Sequence, residues 1–159
     1  MRNPKAGLLV SLLAIALLLG GCGGRPAPGQ PVSLTDVYRQ MEEQVGLPLM
    51  LEVTPELALD FYGIDTARCA QWVLRLAQDS LTADEVLLIE ARDAAAAEEI
   101  HGYLQGRMEA KAAEAITYSP EQYAIIRRGH LLRDGLYLAL IVSPDAEALL
   151  KVYRGQVPG

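Results

Sequence analysis

The chain has 159 residues, of which 51% are hydrophobic, and a formal net charge of −6. That length suits a single domain with a sizeable core. The acidic balance argues against nucleic acid, whose binders gain affinity from Lys and Arg neutralising phosphates, and against a polybasic contact with anionic lipid.

Residues 1–21 read as a secretory signal. Arg2 and Lys5 make a positive start, residues 6–19 are apolar apart from Ser11, and small residues lead into Cys22. The apolar run falls short of the roughly 20 residues that a transmembrane helix needs. Leu19-Gly20-Gly21-Cys22 resembles the lipobox of bacterial lipoproteins, in which the cysteine receives a diacylglycerol and becomes the mature N-terminus. Cys22 is therefore the expected lipid attachment and the membrane the expected partner. The expected location is the extracytoplasmic face of the cell membrane, and loss of Arg2 and Lys5 makes the mature chain more acidic still. With Cys22 acylated, Cys69 has no intramolecular partner, and its setting, Arg-Cys-Ala-Gln-Trp, suits a buried small hydrophobe better than a nucleophile.

Residues 22–32, glycine- and proline-rich after the cysteine, read as a tether, and a single domain is expected over 33–154 with a tail at 155–159. Ser33 opens a helix whose apolar stripe is Leu34, Val37, Tyr38, Met41 and Val45, ending at Gly46. Thr54-Pro55 opens a second helix that Gly63 stops. Alternation of Ala70, Trp72, Leu74 and Leu76 with polar neighbours, followed after a polar link by "EVLLIEAR", predicts a first hairpin. A long helix follows over about 93–117, with Ala97, Ile100, Leu104, Met108, Ala112 and Ile116 as its stripe. Gly102, Gly106 and Ala110 form a small-residue row on it that suggests close approach to another backbone. Ser119-Pro120 opens a short helix. Asp134-Gly135, between apolar runs, predicts a type I′ hairpin turn, and Ser143-Pro144-Asp145 opens a last helix with Ala146, Leu149, Leu150 and Tyr153 buried. The expected fold is α+β: a four-stranded antiparallel sheet of two hairpins, in the order α-α-β-β-α-α-β-β-α, with helices packed mainly on one face.

These pieces resemble, in order and spacing, a family of short bacterial lipoproteins, that of domain of unknown function 4358. The resemblance rests on the lipobox at Cys22, "YRQMEEQVGLPLM", "DFYGID", "SLTADEVLLIEARD", Pro120-Glu121-Gln122-Tyr123 and "DGLYLALIVSPDAEALLKVY". It implies a small extracytoplasmic lipoprotein domain and carries over no catalytic residue.

Candidate chemistry is sparse. His101 and His130 fall in no catalytic motif, and there is no Gly-x-Ser-x-Gly. Asp79, Asp84 and Glu85 could offer carboxylates to a hard cation, but they lack EF-hand spacing and suit a solvated turn. No metal or cofactor is expected. In "DFYGID" the rings of Phe61 and Tyr62 with Asp60 and Asp65 make the best surface candidate, of which Phe61, Tyr62 and Asp65 are the expected binding residues; the competing reading puts the aromatics in the core. The function expected is a lipid-anchored binding or interaction module at the envelope, for a protein partner or small ligand. The alternatives are an envelope hydrolase or other enzyme with an unrecognised active site, and a scaffold or assembly subunit.

Overall fold

Four of the five described α-helices begin where a side chain accepts a backbone N–H that the helix leaves unpaired. The computed structural model describes residues 31–157, so Cys22, the signal and most of the tether lie outside the described residues. Ser33 caps α1 (Leu34–Gln44), and Thr54 caps α2 (Pro55–Tyr62). Asp93 caps α3 (Ala94–Tyr118), and Ser119 caps α4 (Pro120–Arg127). The last helix is α5 (Ala146–Gln156). Gly63, at φ 70°, ends α2 in the left-handed conformation that favours glycine.

The strands are β1 (Met50–Glu52), β2 (Cys69–Ala77), β3 (Glu85–Ala91), β4 (His130–Asp134) and β5 (Tyr137–Val142). They form one antiparallel sheet in the order β1-β2-β3-β5-β4. The two expected hairpins are present and join where β3 meets β5, with Val86 opposite Ile141.

Five features differ from expectation. The sheet has five strands rather than four: β1 adds a three-residue edge, pairing Leu51 with Leu76, and so short a strand next to Pro48 leaves little periodic signal. Helices cover both faces rather than mainly one. Leu74, Leu87, Ile89, Leu138, Leu140 and Val142 pack under α2, α3 and α4, whereas Val73, Val86, Leu88, Ala139 and Ile141 pack under α1 and α5. That is why β3 and β5 are continuous apolar runs and not alternating ones.

The second hairpin turns at Gly135-Leu136, one residue later than expected, with Asp134 opposite Tyr137. Only Gly135 has positive φ, the pattern of a type II′ turn. Gly102 and Gly106 meet nothing within 4 Å, so the small-residue row of α3 faces open space. At the ends, Val32 and Val157 are both buried, and α5 runs to Gln156, into the residues expected as a tail.

Gln71 fastens the start of α1 to the sheet. Its Oε1 accepts from the Leu34 N–H at 3.2 Å, and its Nε2 donates to the Val32 carbonyl at 2.8 Å and to Glu90 at 2.7 Å. Among the described residues no helix is long and apolar enough to cross a membrane.

Candidate functional site

A charged cluster sits inside the three-helix face. Glu85, the first residue of β3, is fully buried, where an unpaired carboxylate would be strongly disfavoured. Three groups answer it. Tyr62 at the end of α2 donates its hydroxyl to Oε1 at 2.5 Å, the Arg107 guanidinium lies 3.4 Å from the same oxygen, and Lys111 Nζ donates to Oε2 at 3.0 Å. Arg107 and Lys111 are one turn apart on α3, beside its apolar stripe, so both reach the same carboxylate. The guanidinium also stacks over the Tyr62 ring, 5.1 Å from its centroid. Burial, and then the carboxylate beside it, push the Tyr62 phenol well above its ordinary range. Two cations face one anion, so the cluster carries one positive charge in excess.

Lys111 connects this cluster to the surface. Its Nζ also donates to the Ala83 carbonyl at 2.8 Å, and the side chain lines a cleft of about 450 Å³ between the β2–β3 loop and the α3–α4 corner. Gln122 on α4 lines the same cleft and holds the other side of Ala83, whose N–H it accepts at Oε1 at 2.8 Å. Leu81 and Tyr118 stand at the cleft with 80% and 82% of their surfaces exposed, while Ala115 and Ile126 give it apolar walls. Glu114 is the remaining charged group in the lining. An apolar cleft with a few fixed polar groups has the makings of a small-molecule site.

The residues singled out from the sequence are dispersed. Phe61 is 62% exposed, Tyr62 is buried in the Glu85 cluster, and Asp65 caps a short 3-10 turn (Thr66–Arg68) by accepting from the Ala67 N–H. The core reading of "DFYGID" thus holds for Tyr62 and not for Phe61. Asp79 accepts from the Leu81 N–H in the exposed loop, but Asp84 and Glu85 are buried, which corrects the expectation of a solvated turn for those two. Among the described residues no group of three or more His, Cys, Asp or Glu is placed to hold a metal ion.

His130 Nε2 comes within 2.9 Å of Glu147 Oε1 without hydrogen-bond geometry, His101 is half-buried on α3, and neither lines the cleft. Cys69 is fully buried, and burial, followed by the nearby Asp65, pushes its thiol up to about 11, as befits an inert core residue. Sequence reasoning weighed Glu85 only as a cation ligand or a residue of a solvated turn, and it missed Arg107, Lys111 and Gln122. The available signal was a pair of cations at i, i+4 beside an apolar stripe.

No curated protein and no solved structure shows significant similarity to the chain. The family described as Domain of unknown function (DUF4358) matches residues 43–143, more than half the chain. That span runs from the last turn of α1 past the end of β5, so it contains the Glu85 cluster and the whole lining of the cleft. The chain belongs to this family.

Proposed function

We propose that the protein is a lipoprotein held at the extracytoplasmic face of the membrane through Cys22, and that its domain binds a small ligand in the cleft beside Lys111. The observation that carries the binding reading is the cleft itself: about 450 Å³, apolar-walled, with an ammonium and an amide fixed by the fold at its base. The anchor rests on the lipobox-like residues before Cys22, and a diacylglycerol would supply ~0.8 kcal/mol per buried methylene.

Thermal unfolding of the full chain in detergent, against calcium, zinc, cell-wall fragments, sugars, amino acids and short peptides, tests the binding reading. A ligand specific to the folded state stabilises it by about 2.7 kcal/mol at a hundredfold excess over Kd. The expected result is a shift with one ligand class that Tyr118→Ala removes; a shift untouched by that substitution places the site elsewhere. Mass spectrometry of the mature chain should find diacylglyceryl-Cys22 at its N-terminus, and an unmodified Cys22 defeats the anchor. Leu57 and Phe61, exposed and one turn apart on α2, favour a second reading in which the domain meets a protein partner.

A further inference from the structure

The cleft's polar groups are arranged in a way that specifies a ligand. Lys111 has three N–H donors, of which two are taken by the Ala83 carbonyl and Glu85, leaving one for the cleft. Gln122 commits its Oε1 to the Ala83 N–H, which leaves its Nε2 as a donor, and Ser119 accepts the Gln122 N–H while keeping its own hydroxyl proton to give. Because Lys111 and Gln122 are fastened to the two polar groups of one residue and line the same cleft, their remaining donors are ordered before any ligand arrives. Arg107 shares Glu85 with Lys111, so the ammonium is not fully neutralised from behind. This is a seat for a carboxylate.

Glu114 lies three residues further along α3, about 5–6 Å away between Cβ atoms, and lines the same cleft as an acceptor. A phosphate or a second carboxylate would be repelled there, and a plain fatty acid would cover Glu114 without pairing it. A ligand that carries an ammonium beside its carboxylate satisfies both ends. Leu81, Tyr118 and Ile126 then offer apolar surface to whatever side chain it bears.

Resting on the reading of the cleft as the binding site, we infer that its ligand class is the small apolar zwitterion. An apolar α-amino acid is the simplest member, with its carboxylate on Lys111 and Gln122, its ammonium at Glu114 and its side chain against Leu81, Tyr118 and Ile126.

Calorimetric titration of the full chain in detergent with L-leucine and L-phenylalanine tests this. The comparison ligands are N-acetyl-L-phenylalanine, which lacks the ammonium, phenethylamine, which lacks the carboxylate, and glycine, which lacks the apolar group. The expected result is binding of leucine or phenylalanine with every comparison ligand at least tenfold weaker. Glu114→Gln should erase the discrimination against N-acetyl-L-phenylalanine and leave the unfolding temperature unchanged. Lys111→Met removes a partner of buried Glu85 and risks the fold, so Gln122→Glu is the better probe of the carboxylate seat: it keeps an acceptor for the Ala83 N–H, replaces the Nε2 donor with an oxygen, and should weaken the amino acid at least tenfold.

Equal binding of a singly charged analogue, indifferent to Glu114→Gln, overturns the zwitterion. If that binding is lost with Tyr118→Ala, the cleft reading survives. No binding by any of these amino acids at millimolar concentration also overturns the inference, and the cleft then stands or falls by the Tyr118-dependence of whatever other ligand shifts unfolding.

Discussion

On one side of the sheet, two eleven-residue helices, α1 and α5, close over Val73, Val86, Leu88, Ala139 and Ile141, and among the described residues the side-chain polar atoms sealed there without a hydrogen-bond partner are the hydroxyls of Tyr38 and Tyr153 and His130 Nε2. On the other, α2, α3 and α4 cover the alternate residues of the same strands, bury Glu85 with them and leave a cleft where α3 overhangs the β2–β3 loop. Since β3 and β5 serve both faces, the strands alone do not account for the difference. It comes from what covers them: a pair of matched amphipathic helices seals its face, while a 25-residue helix is longer than the sheet beneath it and brings charged side chains to the seam. Stability can be concentrated on one face and specificity on the other.

Substitutions can break that contrast. The largest effect is expected from Glu85→Ala, which leaves Arg107 and Lys111 facing a buried space without their anion; urea denaturation should show a loss of about 3–5 kcal/mol. Adding Lys111→Met to that variant should recover part of the loss, because the two residues are coupled. Strict additivity would mean that the cluster does not act as a unit.

A smaller but sharper test is the same substitution on each face. Tyr62→Phe removes a donor to a buried carboxylate and should cost about 1.5–3 kcal/mol. Tyr153→Phe removes a hydroxyl without a protein partner and should stabilise by about 1 kcal/mol. Equal signs in the two unfolding curves would end the distinction between the faces.

The smallest effect is a pH slope. Burial raises the Cys69 thiol from 9.0 to about 11 in the folded protein, so between pH 9 and 10 the unfolded chain releases a proton that the folded chain keeps. Stability therefore falls as pH rises, by at most about 1.4 kcal/mol per pH unit, and Cys69→Ala should flatten that slope. The phenols add to the slope as pH nears 10, with Tyr38 on the two-helix face pushed up to about 12 chiefly by burial. The part of the slope that Cys69→Ala removes is what reports on the three-helix face.

How much of this was legible in the sequence depends on how far each signal reaches. The stripes of α1 and α5, the caps at Ser33, Thr54 and Ser119, and the stop at Gly63 are local, and the structure agrees with them. Ala70 was expected on the alternating core face and is exposed, because the pairing shifts between Cys69 and Gln71 and turns Cys69 into the core instead, while Trp72 keeps the face of Leu74 and is partly exposed. The apolar runs in β3 and β5 did announce two covered faces, but counting helices after strands suggested one. Glu85 was opaque for a different reason: its partners lie 22 and 26 residues downstream on a helix whose charges look like an ordinary wet face. The cleft was less visible still, since Lys111 and Gln122 meet only through the backbone of Ala83.

Gln71 has a mechanical meaning as well. If the chain is held upstream at Cys22, any pull on the domain arrives at Val32, and that carbonyl is gripped by an amide which also holds Leu34 and Glu90. Force is then shared across one side chain into the middle of the sheet before it can peel α1 from its bed. The amide works as a strain relief, in the way that a knot behind a panel keeps a tugged cable from loading the solder joint.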